Sequence, residues 1–311
     1  MNNEYLITLK RVLMNPNIQV VYSDVTLAET IQIPKDEHMV EHLQVLEELN
    51  AKYIDPLNNK LRNEKPIKIC IEYLKNLKSF YSTPYPNFAT TMDKFSRKIS
   101  GLPIEQSIEE ISKNIIDNTE NIMKISVNQI NALNENEYEE PMKSAINLMK
   151  KNLPKLFDEA LQSFNPLTEI DNLPLGPKPF REYKSIKRLI NSKITGSELV
   201  KEIENIFNQE HGESNWKSSM KDTTENKIII AYNLMNWAGY YPDDFDKVKK
   251  NKDRFRASQN DMQHAVRASI ASFLISNDNP FRIKTIASYE YANINTIVCS
   301  AESFLKEHFF K

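Results

Sequence analysis

Three carboxylates stand out by their position beside short apolar runs: Glu29, Asp261 and Asp278. Ile18-Gln19-Val20-Val21-Tyr22 follows the Asn15-Pro16-Asn17 turn and reads as a strand. It runs into Ser23 and Asp24, and Glu29 lies about two turns along the next helix. Phe273-Leu274-Ile275 runs into Ser276, Asn277 and Asp278, and Asp261 opens the helix that feeds this second strand. In open parallel sheets, ligands sit at the carboxyl ends of strands. A helix laid back along its strand returns Asp261 to the end that carries Asp278. Acids gathered without a His or Cys set suit a hard divalent ion, Mg²⁺ or Mn²⁺. Such an ion activates water and stabilises in-line displacement at phosphorus. The competing reading of each acid is a helix cap or a solvated side chain.

Other residues support the same chemistry. His264 lies one helical turn after Asp261, placed to shuttle a proton or touch a phosphate, or simply to satisfy a local hydrogen bond. The run from Lys247 to Arg256 holds six cations in ten residues: Lys247, Lys249, Lys250, Lys252, Arg254 and Arg256. With Phe255 among them, they suit an RNA path or a solvated helix face. Arg282 and Lys284 follow Asp278 closely and are placed to contact a scissile strand's phosphates, or equally well to stand as plain solvated charges. Tyr232, Trp237, Tyr240 and Tyr241 have the spacing of a helix face packed on a core, with base stacking as the sharper alternative.

Helices dominate the elements that must position these groups. Leu6, Leu9, Val12 and Leu13 share one face of a short first helix, and apolar spacing predicts helices over 36–53 and 67–80. The stretch 82–103, with Pro84, Pro86 and Pro103, reads as irregular. Ile108, Ile111, Ile115, Ile122 and Ile125 mark a long helix over 106–134, and a second spans 140–164 with Pro154 inside it. Four prolines make 165–180 a loop, and helices resume at 181–193, 197–210 and 218–240. The last third alternates a helix over 262–271, the strand 273–275, a helix over 281–293, the strand 296–299 and a helix over 301–308, the pattern of βαβ units. The expected fold is therefore α/β. Residues 1–80 and 245–311 form a parallel-sheet core flanked by helices, and 81–244 form a large all-α insertion.

Composition bounds the function. Of 311 residues, 40% are hydrophobic and 26% charged, and the net charge is −2, which excludes a uniformly basic coat but not a local basic groove. Only five glycines occur, and they are scattered, so no glycine-rich phosphate cradle exists. Cys70 and Cys299 form no C-x-x-C pair. The opening residues lack a cleavage signal and no apolar run reaches 18 residues, so the expected location is the cytoplasm, with no membrane partner.

The block Asn260-Asp261-Met262-Gln263-His264-Ala265-Val266-Arg267-Ala268, then Phe273-Leu274-Ile275-Ser276-Asn277-Asp278, then Phe281 and Lys284, resembles the carboxy half of a PIN-like ribonuclease domain. Thr296–Cys299 and the following Ser300-Ala301-Glu302-Ser303-Phe304-Leu305 are similar to that family's closing strand and helix. Val20–Glu29 resembles its second strand and the helix after it. The resemblance implies a PIN-like parallel sheet, Glu29, Asp261 and Asp278 as ligands of Mg²⁺ or Mn²⁺, and Ser23, Asn277 and His264 in support. The implied activity is metal-dependent cleavage of RNA, with single-stranded DNA as a second substrate. It further implies a toxin or phage-defence role, with an antitoxin or other protein partner; a separate reading of the long helices over 106–164 is a helical scaffold whose hairpin mediates a homo-oligomer. One element departs from the family: its first strand carries an acid, and the opening MNNEYLITLKRVL has none in that context. That departure leads to two expectations, a chain starting at an internal Met or a degenerate nucleic-acid-binding or assembly module.

Overall fold

The computed structural model describes residues 3–83, 85–102, 104–164, 177–211, 222–242 and 254–308. Among them fourteen α-helices dominate, 70% helix in all, with strands of only two or three residues. The chain forms two compact units. The first comprises Met1–Leu77, Arg181–Gly212 and Lys221–Lys311; the second comprises Lys78–Phe180 and Glu213–Met220.

In the first unit, α1 (Asn3–Leu13) leads to β1 (Val21–Tyr22), α2 (Asp24–Thr30) and α3 (Asp36–Glu48). The expected helix over 36–53 stops early. Leu49 ends it, and Asn50 adopts φ 47°, a left-handed conformation that Asn tolerates. This frees the next residues to extend as β2 (Lys52–Ile54), which pairs in parallel with β1 and antiparallel with β3 (Leu61–Arg62). α4 (Pro66–Tyr81) follows. Tyr22, Leu27, Leu43, Leu46, Tyr53, Ile69 and Cys70 form the core under this sheet, with the Tyr22 and Tyr53 rings 5.5 Å apart.

The second unit overturns one expectation. Residues 85–99, read as irregular, form α5 (Tyr85–Ile99). Pro86 sits in its first turn, where a missing N–H costs nothing, and Phe88, Met92, Phe95 and Ile99 have helical spacing. α6 (Ile108–Ala132) starts at a capping box: Ser107 Oγ accepts from the Glu110 N–H at 3.0 Å, and Glu110 returns a carboxylate oxygen to the Ser107 N–H at 2.9 Å. α6 packs against α5 and α7 (Met142–Phe164), burying Ile111 and Ile115 completely.

α8 (Pro177–Glu182) runs from the second unit into the first, which continues with α9 (Lys184–Ile190), α10 (Gly196–His211) and α11 (Thr224–Ala238). The first unit closes with α12 (Arg254–Ala268), β4 (Phe273–Ile275), α13 (Asn279–Ala292), β5 (Ile297–Cys299) and α14 (Ala301–His308). β4 and β5 pair in parallel with α13 as their crossover. A second core gathers Ile228 and Tyr232 of α11, Met262, Ala265 and Val266 of α12, and Phe281 and Tyr289 of α13. The expected PIN-like sheet is not formed. β1 takes β2 as its partner, β4 takes β5, and the result is two small sheets in a mostly helical chain. Of the segment expected to be a loop, 165–176 lie outside the described residues and 177–180 open α8.

Candidate functional site

A polar seam joins α2 to α12 across more than 230 residues of sequence. Asn260, His264 and Arg267 recur at i, i+4 and i+7, so they share one face of α12, while Met262, Ala265 and Val266 turn into the core. Asn260 Nδ2 donates to Glu29 Oε1 at 3.0 Å, and His264 Nε2 lies 3.1 Å from Glu29 Oε2. Arg267 grips Asp24 with two bonds, Nε to Oδ1 at 2.9 Å and Nη2 to Oδ2 at 3.2 Å. The hydrogen bond to His264 holds the Glu29 carboxyl below its ordinary value, against the opposing effect of burial. His42 adds to the lowering through space. Its ring is fixed in turn: Thr30 Oγ1 spends its one proton on the Thr26 carbonyl at 2.7 Å, so His42 Nδ1, 3.0 Å away, is the donor in that pair.

The structure thus brings Glu29 to the turn of α12 that carries Asp261 and His264. Ser23 lies buried at the start of α2, its N–H donating to Thr26 Oγ1 at 3.3 Å. Asp278 has a different task. Its Oδ1 accepts the Phe281 N–H at 2.9 Å and caps α13. The Ser276 hydroxyl accepts the Asp278 N–H at 3.2 Å, and Asn277 Oδ1 accepts the Ala301 N–H at the start of α14 at 3.3 Å. Ser276-Asn277-Asp278 therefore ties the end of β4 to the starts of two helices. Among the described residues no group of three or more His, Cys, Asp or Glu side chains is gathered closely enough to hold a metal ion. Glu29, Asp261 and Asp278 all lie among those residues, and the structure does not gather them into one such group.

Lys284 also departs from expectation. Its side chain is fully buried, with Nζ donating to Asn236 Oδ1 at 2.9 Å and lying 4.4 Å from the centre of the Tyr232 ring. It cannot reach a strand of nucleic acid from there; α13 turns it inward toward α11. Of the expected RNA path, Lys247, Lys249, Lys250 and Lys252 fall outside the described residues, as does the side chain of Arg254, whereas Arg256 is exposed on α12. Tyr232 is buried and belongs to the core.

A second basic face escaped the sequence reading. α9 buries Ile186 and Leu189 and turns Lys184, Lys187 and Arg188 outward, with Lys193 just beyond its end. Lys187 is held by Glu182 at 2.6 Å. Lys184, Arg188 and Lys193 are exposed and make no ion pair among the described residues. The signal was present: 184–193 holds four cations and no acid.

Comparison with protein-family models, curated proteins and solved structures returned no match, so the PIN-like resemblance gains no support from them. Among the described residues, no helix is long and apolar enough to cross a membrane.

Proposed function

We propose that this chain binds RNA without cutting it. The observation that carries the reading is the outward face of α9, where Lys184 and Arg188 stand one turn apart, exposed and with no ion pair among the described residues, followed by Lys193. Residues at i and i+4 lie roughly 6 Å apart on a helix surface, close to the spacing of successive phosphates on an extended strand. Exposed Arg256 and the cation-rich sequence before it add to the charge available for such contacts. The acids that would do hydrolysis are engaged otherwise. Asp278 caps α13, and both oxygens of Glu29 are taken by Asn260 and His264.

The test is binding of a labelled single-stranded RNA over a range of salt, with Mn²⁺ present. Each lost phosphate contact lowers the log–log slope by roughly 0.7 for a single strand. A Lys184→Ala, Arg188→Ala, Lys193→Ala triple variant should therefore flatten the slope by about 2, and the RNA should stay intact. An unchanged slope would remove α9 from the interface. Cleavage that depends on Mn²⁺ and is lost in Glu29→Gln would replace the reading with that of a nuclease.

A further inference from the structure

In the second unit, the turn between α4 and α5 carries three aromatic side chains in the open: Phe80 at 37%, Tyr81 at 70% and Tyr85 at 43% exposure. Burying a large aromatic ring is among the strongest drives in folding, so a tyrosine left 70% in water contributes little to the fold it sits on. The rings are nonetheless arranged. Phe80 and Tyr85 lie nearly parallel, 20° apart with centroids 6.2 Å apart, and Tyr81 stands edge-on to Phe80 at 5.8 Å. The backbone beneath them is held as well. The Thr83 N–H and hydroxyl both donate to the Phe80 carbonyl, at 3.1 and 2.6 Å, and the Tyr85 N–H donates to Thr83 Oγ1 at 3.3 Å.

The adjoining sequence is basic. Residues 78–100 contain Lys78, Lys94, Arg97 and Lys98 against the single acid Asp93, which Arg97 already holds at 2.6 Å. Lys78 lies one turn before Tyr81 on the same helix, exposed and without an ion pair among the described residues. Exposed π faces on a fixed frame beside a free cation are what a flexible polyanion with flat bases requires, because rings take the bases while the cation takes a phosphate. Rigid duplex keeps its bases stacked on one another and has none to offer.

We infer that Phe80, Tyr81 and Tyr85 form a base-stacking platform for single-stranded RNA, with Lys78 as its phosphate contact. The inference rests on the RNA-binding reading but uses a separate surface. Stacking on a ring depends little on salt, whereas phosphate contacts set the salt slope. Titration of the full chain with a fluorescent oligouridylate separates the two. A Tyr81→Ala, Tyr85→Ala variant, which loses two stacked bases, should bind at least about thirtyfold more weakly, with the slope unchanged. Tyr81→Phe should bind as the parent does, since it keeps the π face, and duplex RNA of the same length should not notice the change. Parent-like affinity in the alanine variant would overturn the platform while leaving an α9-dependent slope intact. A flat slope in the α9 variant together with lost affinity in the alanine variant would support both. Capture of a proline-rich peptide in place of the oligouridylate would overturn the inference, because aromatic clusters also accept that class of ligand.

Discussion

Replacing Asp278 separates a helix cap from a metal ligand. Its Oδ1 accepts the Phe281 N–H at 2.9 Å, one of the four N–H groups that the start of α13 leaves without an intrahelical partner. Asn accepts the same bond nearly as well, so Asp278→Asn should leave stability within about 0.5 kcal/mol of the parent. Asp278→Ala has no acceptor and should cost about 1 kcal/mol, a loss of roughly 2–4 °C in Tm for a domain of about 150–250 residues. The assay is thermal and urea unfolding of the parent and both variants, followed by circular dichroism. The ordering carries the argument: parent and Asn together, Ala below. A carboxylate held in a cluster of like charges gives the opposite order, because removing its charge relieves repulsion in the metal-free chain. Asp278→Ala as stable as the parent or more so would refute the cap.

Three further outcomes follow from the same contacts. A double-mutant cycle on Asp24 and Arg267, whose side chains are 27% and 22% exposed, should return a coupling of about 1–2 kcal/mol that shrinks at high salt; urea unfolding of the four proteins measures it. Glu29 has a lowered folded pKa, so its charge contributes stability above its ordinary value of 4.5 and loses that contribution as pH falls through the lower folded value. The stability gap between the parent and Glu29→Gln should therefore be full at pH 7 and close on acidification below about 4.5, as read by unfolding at stepped pH. Lys284→Met keeps the buried stem but orphans Asn236 Oδ1, and should lower stability by about 1–3 kcal/mol without changing the salt dependence of RNA binding.

Much of the local structure is legible from spacing alone. The isoleucine stripe over 106–134 gives α6, and the last third gives β4, α13, β5 and α14 closely, but α12 starts at Arg254, eight residues before the helix expected from Met262, so Asp261 lies inside it rather than at its start. Strand pairing is not legible, because runs of two or three residues carry almost no register information. Val21-Tyr22 takes Lys52–Ile54 as its partner, a segment hidden at the end of an amphipathic helix until Asn50 turns the chain. The site was legible in part. The expected convergence was of Glu29, Asp261 and Asp278, whereas the structure joins Glu29 to Asn260 and His264; burial reverses the outward reading of Lys284, and the cap at Asp278 satisfies the same residue pattern as a ligand would. Prolines near 84–86 masked α5, since a proline at a helix start looks in sequence like a break.

The most direct test of RNA binding without hydrolysis is one titration followed to completion. The full chain is mixed with end-labelled single-stranded RNA and Mn²⁺, anisotropy reports binding, and the same samples are then resolved on a denaturing gel. The account predicts saturable, salt-dependent binding with the RNA recovered at full length. Shortened RNA that appears only with Mn²⁺, or no binding at low salt, would contradict it.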